Sequence, residues 1–307
     1  MNLGDRIFKF LMFLMALSVL FVASAMFLEM YHGALPSFHK FGFKFLVDSR
    51  WDPVQDEYGA LPFIYGTVVS SLIALLIAVP LSLWSAIYLA EYAPRWIKTP
   101  LSFLIELLAA IPSVVYGLWG VFVLVPWCRK VVQPFLNHWF GFIPLFQGSM
   151  YGIGMLSAGI ILAIMVIPYI TAVSREVITA VPYTQKEAAL ALGSTKWEAI
   201  RMAVLSYCKS GIVGAIILGL GRAVGETMAV TMVIGNTPQI KASIFEPAHS
   251  MASVIANEFS EATSTMYLSA LIQVGLILFV IALLINMTAR FLIWTVSRGP
   301  QGNPAIL

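Results

Sequence analysis

The sequence predicts an all-α integral membrane protein with six transmembrane helices. Three observations carry this. The chain of 307 residues is 60% hydrophobic and only 11% charged, with mean hydropathy +0.88, where a soluble domain carries about 25% charged residues. Apolar runs long enough to span a bilayer recur along it, separated by polar connections. Lys and Arg concentrate in alternate connections. A net charge of +3 is too small to indicate nucleic acid and fits basic residues at a membrane surface, against lipid.

The first span covers residues 8–30, a Phe/Leu/Met-rich run behind Arg6 and Lys9. Its apolar run of about 19 residues exceeds the usual 7–15 of a signal-peptide core. A retained anchor is therefore favoured, with a cleaved signal as the rival because Ala23-Ser24-Ala25 resembles a cleavage site. A polar loop over 31–61 follows, with turns at Trp51-Asp52-Pro53 and Leu61-Pro62. The second span runs over 63–92 around Pro80, and the short link 93–100 carries Arg95 and Lys98. The third runs over 101–125 with Glu106 and Pro112 inside it. Glu106 reads as an interfacial or interhelical hydrogen bonder. Pro80 and Pro112 read as kinks, tolerated where neighbours or water satisfy the freed carbonyls.

Residues 126–148 read as a polar-aromatic loop, with Trp127 and Trp139 as interface anchors. The fourth span covers 151–174 and holds Pro168; the fifth lies within 210–236, a third loop covers 235–262, and the sixth covers 266–296. The chain thus divides into 1–62 (first helix and outer loop), 63–296 (a core of five spans with a polar loop at 175–209) and a tail at 297–307. With the N-terminus inside, inner segments hold eleven Lys and Arg and outer loops hold six, Arg222 being the eighteenth. That bias predicts both termini on the cytoplasmic side. Cys128 and Cys208 fall in loops on opposite sides, so they form neither a disulfide nor a metal set. His32, His39, His138 and His249 fall in outer loops and read as solvated rather than as metal ligands.

The fifth span carries the chemistry. Arg222 stands 11 residues after Gly211, roughly 16 Å in at about 1.5 Å per residue, near the midplane. An Arg there costs about 2.5–3.5 kcal/mol even on the lenient insertion scale. Glu226 lies four residues on, one turn along the same face, where it can pair with Arg222. Gly211, Ala215, Gly219, Arg222, Glu226 and Ala229 share one stripe. Gly219, Gly221 and Gly225 read as packing positions that let a backbone or ligand approach the charges. A guanidinium is a planar fork that matches phosphate or carboxylate. The stretch reads either as an anion site on a transport pathway or as a structural ion pair locking two helices.

The loop before it is longer than a connection needs. Pro182 opens it, residues 185–192 are strong helix formers, Gly193 is a stop, and Ser194 or Thr195 caps a second helix. Two short helices with a glycine corner at the membrane surface suit a docking element for a cytoplasmic partner, or an amphipathic surface helix that binds nothing.

Glu187, Ala188, Ala189 and Gly193, with an apolar segment to Val204-Leu205, resemble the EAA loop of ABC-importer permeases; Ala203 and Ser206 stand where that pattern has Ile and Pro. More specifically, LAAIPSVVYGLWG at 108–120, ILAIMVIPYI at 161–170, LGLGRAVGETMAV at 218–230 and IGN at 234–236 resemble the PstC-type permeases of phosphate importers. The resemblance covers nearly the whole chain. It implies a type I ABC-importer permease fold in the bacterial inner membrane and inorganic phosphate as cargo. The sister subunit of the same importer, or a permease for another oxyanion, is the alternative. It implies a PstA-type second permease, two copies of a PstB-type ATPase on the EAA loops, and a PstS-type periplasmic phosphate-binding protein. It also implies a role in phosphate passage for Arg222 and Glu226, and coupling to the ATPase for Glu187, Ala188, Ala189 and Gly193.

The sequence shows no nucleotide site, so ATP and magnesium belong to the partner ATPase and this chain holds no cofactor. GSTK at 193–196 lacks P-loop spacing, and GLGRAVG at 219–225 follows no strand. An intramembrane enzyme using Arg222 as a phosphate clamp and Glu226 or Glu106 as base lacks a second polar cluster at that depth. A signalling scaffold leaves the buried Arg without a purpose.

Overall fold

The computed structural model describes residues 3–297. The predicted tail beyond Ser297, with Arg298, lies outside them. Among the described residues six helices are long and apolar enough to cross a membrane, the expected number. The first is α1 (Leu3–Phe41), and the second is α2 (Leu61–Tyr92). Between them, strands β1 (Trp51–Asp52) and β2 (Glu57–Tyr58) form a small hairpin, pairing Trp51 with Tyr58. An amphipathic helix α3 (Arg95–Ala110) leads into the third spanning helix, α4 (Ser113–Phe140). The fourth is α5 (Met155–Thr179), and the short α6 (Tyr183–Ala191) leads to the fifth, α7 (Lys196–Gly225). Two short helices, α8 (Met228–Val233) and α9 (Met251–Glu258), precede the sixth, α10 (Thr265–Ser297).

The core sits around α5, the most buried of the six, which packs along α2 and α7. Small residues on α5 make the approach close: a Cβ on Gly159 would stand 2.4 Å from Ile73 Cγ2 of α2. In contrast, the first half of α1 is exposed, and its second half meets α10, Gly33 lying against Ile272 and Phe27 against Phe279.

The third span departs from the expected 101–125. Pro112 does not kink a continuous helix; it ends one. Ile111 turns extended at φ −65°, ψ 131°, because the proline ring clashes with a helical preceding residue. The carbonyls left open at the end of α3 are taken up by two tyrosines. Tyr116 Oη donates to Leu108 O at 2.8 Å, and Tyr169 Oη donates to Ala109 O at 3.0 Å. The span then runs 113–140, through most of the expected loop 126–148. Its π-turns at Gly120–Leu124 and Cys128–Val132 each end two positions before a proline, Pro126 and Pro134, where a wider turn relieves the clash of each ring with the carbonyl four residues back. Glu106 pairs with Arg175 of α5 at 3.0 Å, the interhelical bond expected of it.

Two loop assignments are also corrected. Cys128 and Cys208 lie in helices, not loops, and both are buried free thiols. His32, His39 and His138 extend helices, and His249 is buried. His249 Nδ1 lies 2.8 Å from Ser253 Oγ, and Nε2 lies 4.0 Å from Glu258, whose other oxygen accepts from Trp51 Nε1 at 2.8 Å and Tyr267 Oη at 2.6 Å. The segment before α9 folds down against α2, with the His249 carbonyl where a Cβ on Gly66 would stand.

Candidate functional site

The fifth span is not one helix through Asn236. It stops at Gly225: Glu226 turns extended at φ −71°, ψ 128°, and the chain restarts as α8. Glu226 Oε1 accepts from Ala229 N at 3.3 Å, so the carboxylate caps the restart. This break separates the predicted pair. An i,i+4 contact needs an unbroken turn, and among the described residues no carboxylate forms an ion pair with Arg222.

Arg222 finds a phenol instead. Its Nη1 donates to Tyr169 Oη at 2.8 Å, and Cζ lies 4.0 Å from the centre of that ring. Because Tyr169 Oη donates onward to Ala109 O, one hydroxyl joins α7, α5 and α3. Nε of Arg222 is buried without a partner, an open donor on a charge already costly to bury. Tyr169 stands 14 residues from one end of α5 and 10 from the other, so the pair lies about 21 Å and about 15 Å from the two ends. Arg222 thus lies between the two ends of α5, in the last turn of its own helix, where carbonyl dipoles favour a cation.

The glycines divide. Gly219 packs: a Cβ there would come within 2.8 Å of Ile170 and Val166 on α5. Gly221 and Gly225 have nothing within 4 Å of an added Cβ, so they are not packing positions within this chain. At about 100° per residue they point roughly 200° and 240° away from Gly219, toward the open side of the break. The result is a discontinuous helix at mid-depth, a fixed guanidinium with a free donor, and an open flank lined by glycine. Discontinuous helices of this kind form binding sites in transporters.

The polar loop turns at Gly193 as expected, but its second helix is not a separate short one: it is the first part of the spanning helix α7. Glu187 and Ala188 are exposed and Ala189 half-buried on α6, which buries none of its residues. Gly193 turns the corner at φ +84°, a conformation suited to glycine. Thr195 accepts from Glu198 N while Glu198 accepts from Thr195 N, a capping box. From there α7 runs continuously to the site: Arg222 stands 26 residues beyond Lys196, about 39 Å along one rod. No group of three His, Cys, Asp or Glu side chains suited to a metal occurs among the described residues.

Residues 78–294 match the family described as "Binding-protein-dependent transport system inner membrane component". The chain belongs to that family. Relatives named phosphate transport system permease protein PstC include one from Pasteurella multocida, 49% identical over 92% of this chain and 89% of the relative. Another, from Methanocaldococcus jannaschii and named as a probable member, is 38% identical over 88% of each. Among solved structures, a chain of a bacterial ABC transporter that imports the acidic polysaccharide alginate superposes with TM-score 0.57 at 17% identity, covering 96% of this chain and 99% of that one. A chain of the inward-facing MetNI methionine ABC transporter gives TM-score 0.55 at 18% identity over 78% and 95%. The fold is that of ABC-importer permeases, and the chain is a multi-pass transport component of the membrane.

Sequence reasoning passed over Tyr169, the side chain in contact with Arg222. A phenol after a proline in an otherwise apolar span is the signal that marks it, since a buried hydroxyl needs a partner.

Proposed function

We propose that this chain is the permease subunit of an ATP-driven importer that carries inorganic phosphate across the bacterial inner membrane by alternating access. The observation that carries this reading is Arg222: a guanidinium at mid-depth, stacked on Tyr169, with Nε unpartnered. The names of the relatives support phosphate as the anion. A PstA-type permease would complete the pathway on the open side of Gly221 and Gly225. PstB-type ATPases, which bind the ATP and magnesium, would dock on Glu187, Ala188, Ala189 and the Gly193 corner, with both termini cytoplasmic. A PstS-type protein would deliver phosphate from outside.

Tyr169 holds Nη1, and a phosphate reaching the other edge of the guanidinium would accept from Nε and Nη2 together, so the fork is used without displacing the phenol. Glu226 acts by fixing α8 beside the guanidinium and by presenting a negative charge near the path, which keeps anion binding weak enough for release. The test is ATP-dependent uptake of labelled phosphate by proteoliposomes of the four-component complex. Saturable uptake that excess sulfate leaves unchanged supports the reading. Sulfate uptake without phosphate uptake assigns another oxyanion.

A further inference from the structure

Three contacts fasten both helices of the polar loop to a single turn of α2. That turn is the π-turn Tyr88–Tyr92, which ends the helix. Glu91 Oε1 pairs with Lys186 Nζ of α6, and the two side chains are only 9% and 18% exposed. Lys196, the first residue of α7, reaches the Glu91 carbonyl with Nζ at 2.8 Å. The same ammonium lies 4.2 Å from the centre of the Tyr92 ring. The last carbonyls of a helix have no partner within it, so the end of α2 offers acceptors that Lys196 satisfies. Beneath these bonds lies a buried patch that includes Ala86, Ile178, Val181, Ile200 and Val204.

A loop that needs only to connect two spans has no use for an ion pair this shielded from water. Removing two charges from water costs several kcal/mol per ion, and separating such a pair strands a charge. α5 and α7 are covalently continuous with the loop helices, and α2 is not. Glu91 adds a direct polar link from the end of α2 to α6 beside the apolar packing of Ala86 in the same patch, so α6 cannot shift without straining the Glu91–Lys186 pair. α2 in turn packs along α5, which holds Tyr169 against Arg222.

We propose that Glu91 is a positioning residue for energy coupling, making α2 part of one moving body with α5, α6 and α7 through its pair with Lys186. This rests on the import reading above. The test compares the native four-component complex in proteoliposomes with Glu91→Gln, Glu91→Lys, Lys186→Glu and the double exchange Glu91→Lys/Lys186→Glu. The readouts are ATPase co-purification, ATP hydrolysis, and phosphate taken up per ATP. The single variants are expected to retain the ATPase and hydrolyse at rates within about twofold of native. Their phosphate per ATP should fall about tenfold, within the usual range of coupling free energies. The double exchange is expected to restore most of that ratio. A native ratio in Glu91→Gln overturns the inference. So does loss of assembly in Glu91→Gln, which makes the residue structural only, or a double exchange no better than its singles. A native complex that takes up no phosphate removes the import reading and this inference with it.

Discussion

Replacing Arg222 with Lys keeps the charge and discards the fork. In the native arrangement one guanidinium nitrogen is engaged by Tyr169 at 2.8 Å, the plane stacks on that ring at 4.0 Å, and Nε is unpartnered. A lysine offers a single nitrogen, which cannot hold Tyr169 and present two donors to one phosphate. The loss is one charge-assisted hydrogen bond, about 1.5–3 kcal/mol. At about 1.36 kcal/mol per tenfold, the uptake rate at low phosphate should fall roughly 10- to 150-fold. Loss of the ring contact adds to this, by about 0.5–2 kcal/mol. The assay is the initial rate of labelled phosphate uptake against external concentration, with ATPase co-purification as the control for assembly. A native rate and half-saturation in Arg222→Lys would refute the view that fork geometry matters.

Three further outcomes follow. Burial pushes the His249 imidazole from 6.5 down to about 4, outweighing the opposing hydrogen bond with Ser250. The folded chain therefore keeps His249 neutral where the unfolded chain takes a proton, and stability should drop by about 3 kcal/mol as pH falls from about 6.5 to about 4. Unfolding in detergent across that window, flat with pH, would contradict this. Gly219→Ala should destabilise by about 1–3 kcal/mol through overpacking against Ile170 and Val166, whereas Gly221→Ala, meeting nothing within 4 Å, should leave the melting temperature unchanged or raised; equal losses in both would argue against the packing described. Gly193→Val forces a β-branched residue to φ +84°, at about 1–2 kcal/mol. ATP hydrolysis should persist while uptake falls, and a fully coupled variant would show that the corner is not needed.

The number of spans and the helix–glycine–helix loop were legible because each has a local cause. A run of apolar residues is spanning wherever it sits, and Gly193 followed by Thr195 and Glu198 specifies its own turn and cap. The breaks within spans were harder to read. Ile111-Pro112 carries a signal, since a residue before proline resists the helix, but a proline within an apolar run fits a kink as well as a stop. The stop at Gly225 had no proline to mark it. Helical spacing pairs Glu226 with Arg222, and spacing holds only while the helix does. Its actual bond, to Ala229 N, depends on a restart that tertiary packing on α4 and α5 stabilises. The partners of Tyr169 and Glu91 are illegible for a similar reason. Tyr169 meets its partner 53 positions away, and Glu91 meets Lys186 at 95, so only the assembled bundle reveals either contact.

The most direct test of the central claim is phosphate uptake by the assembled complex with Arg222→Gln, which keeps polarity and comparable size without charge. An anion site at mid-depth predicts that uptake is lost while the ATPase still co-purifies and hydrolyses ATP. Uptake equal to the native complex would leave a transport component but reduce Arg222 to a structural contact with Tyr169.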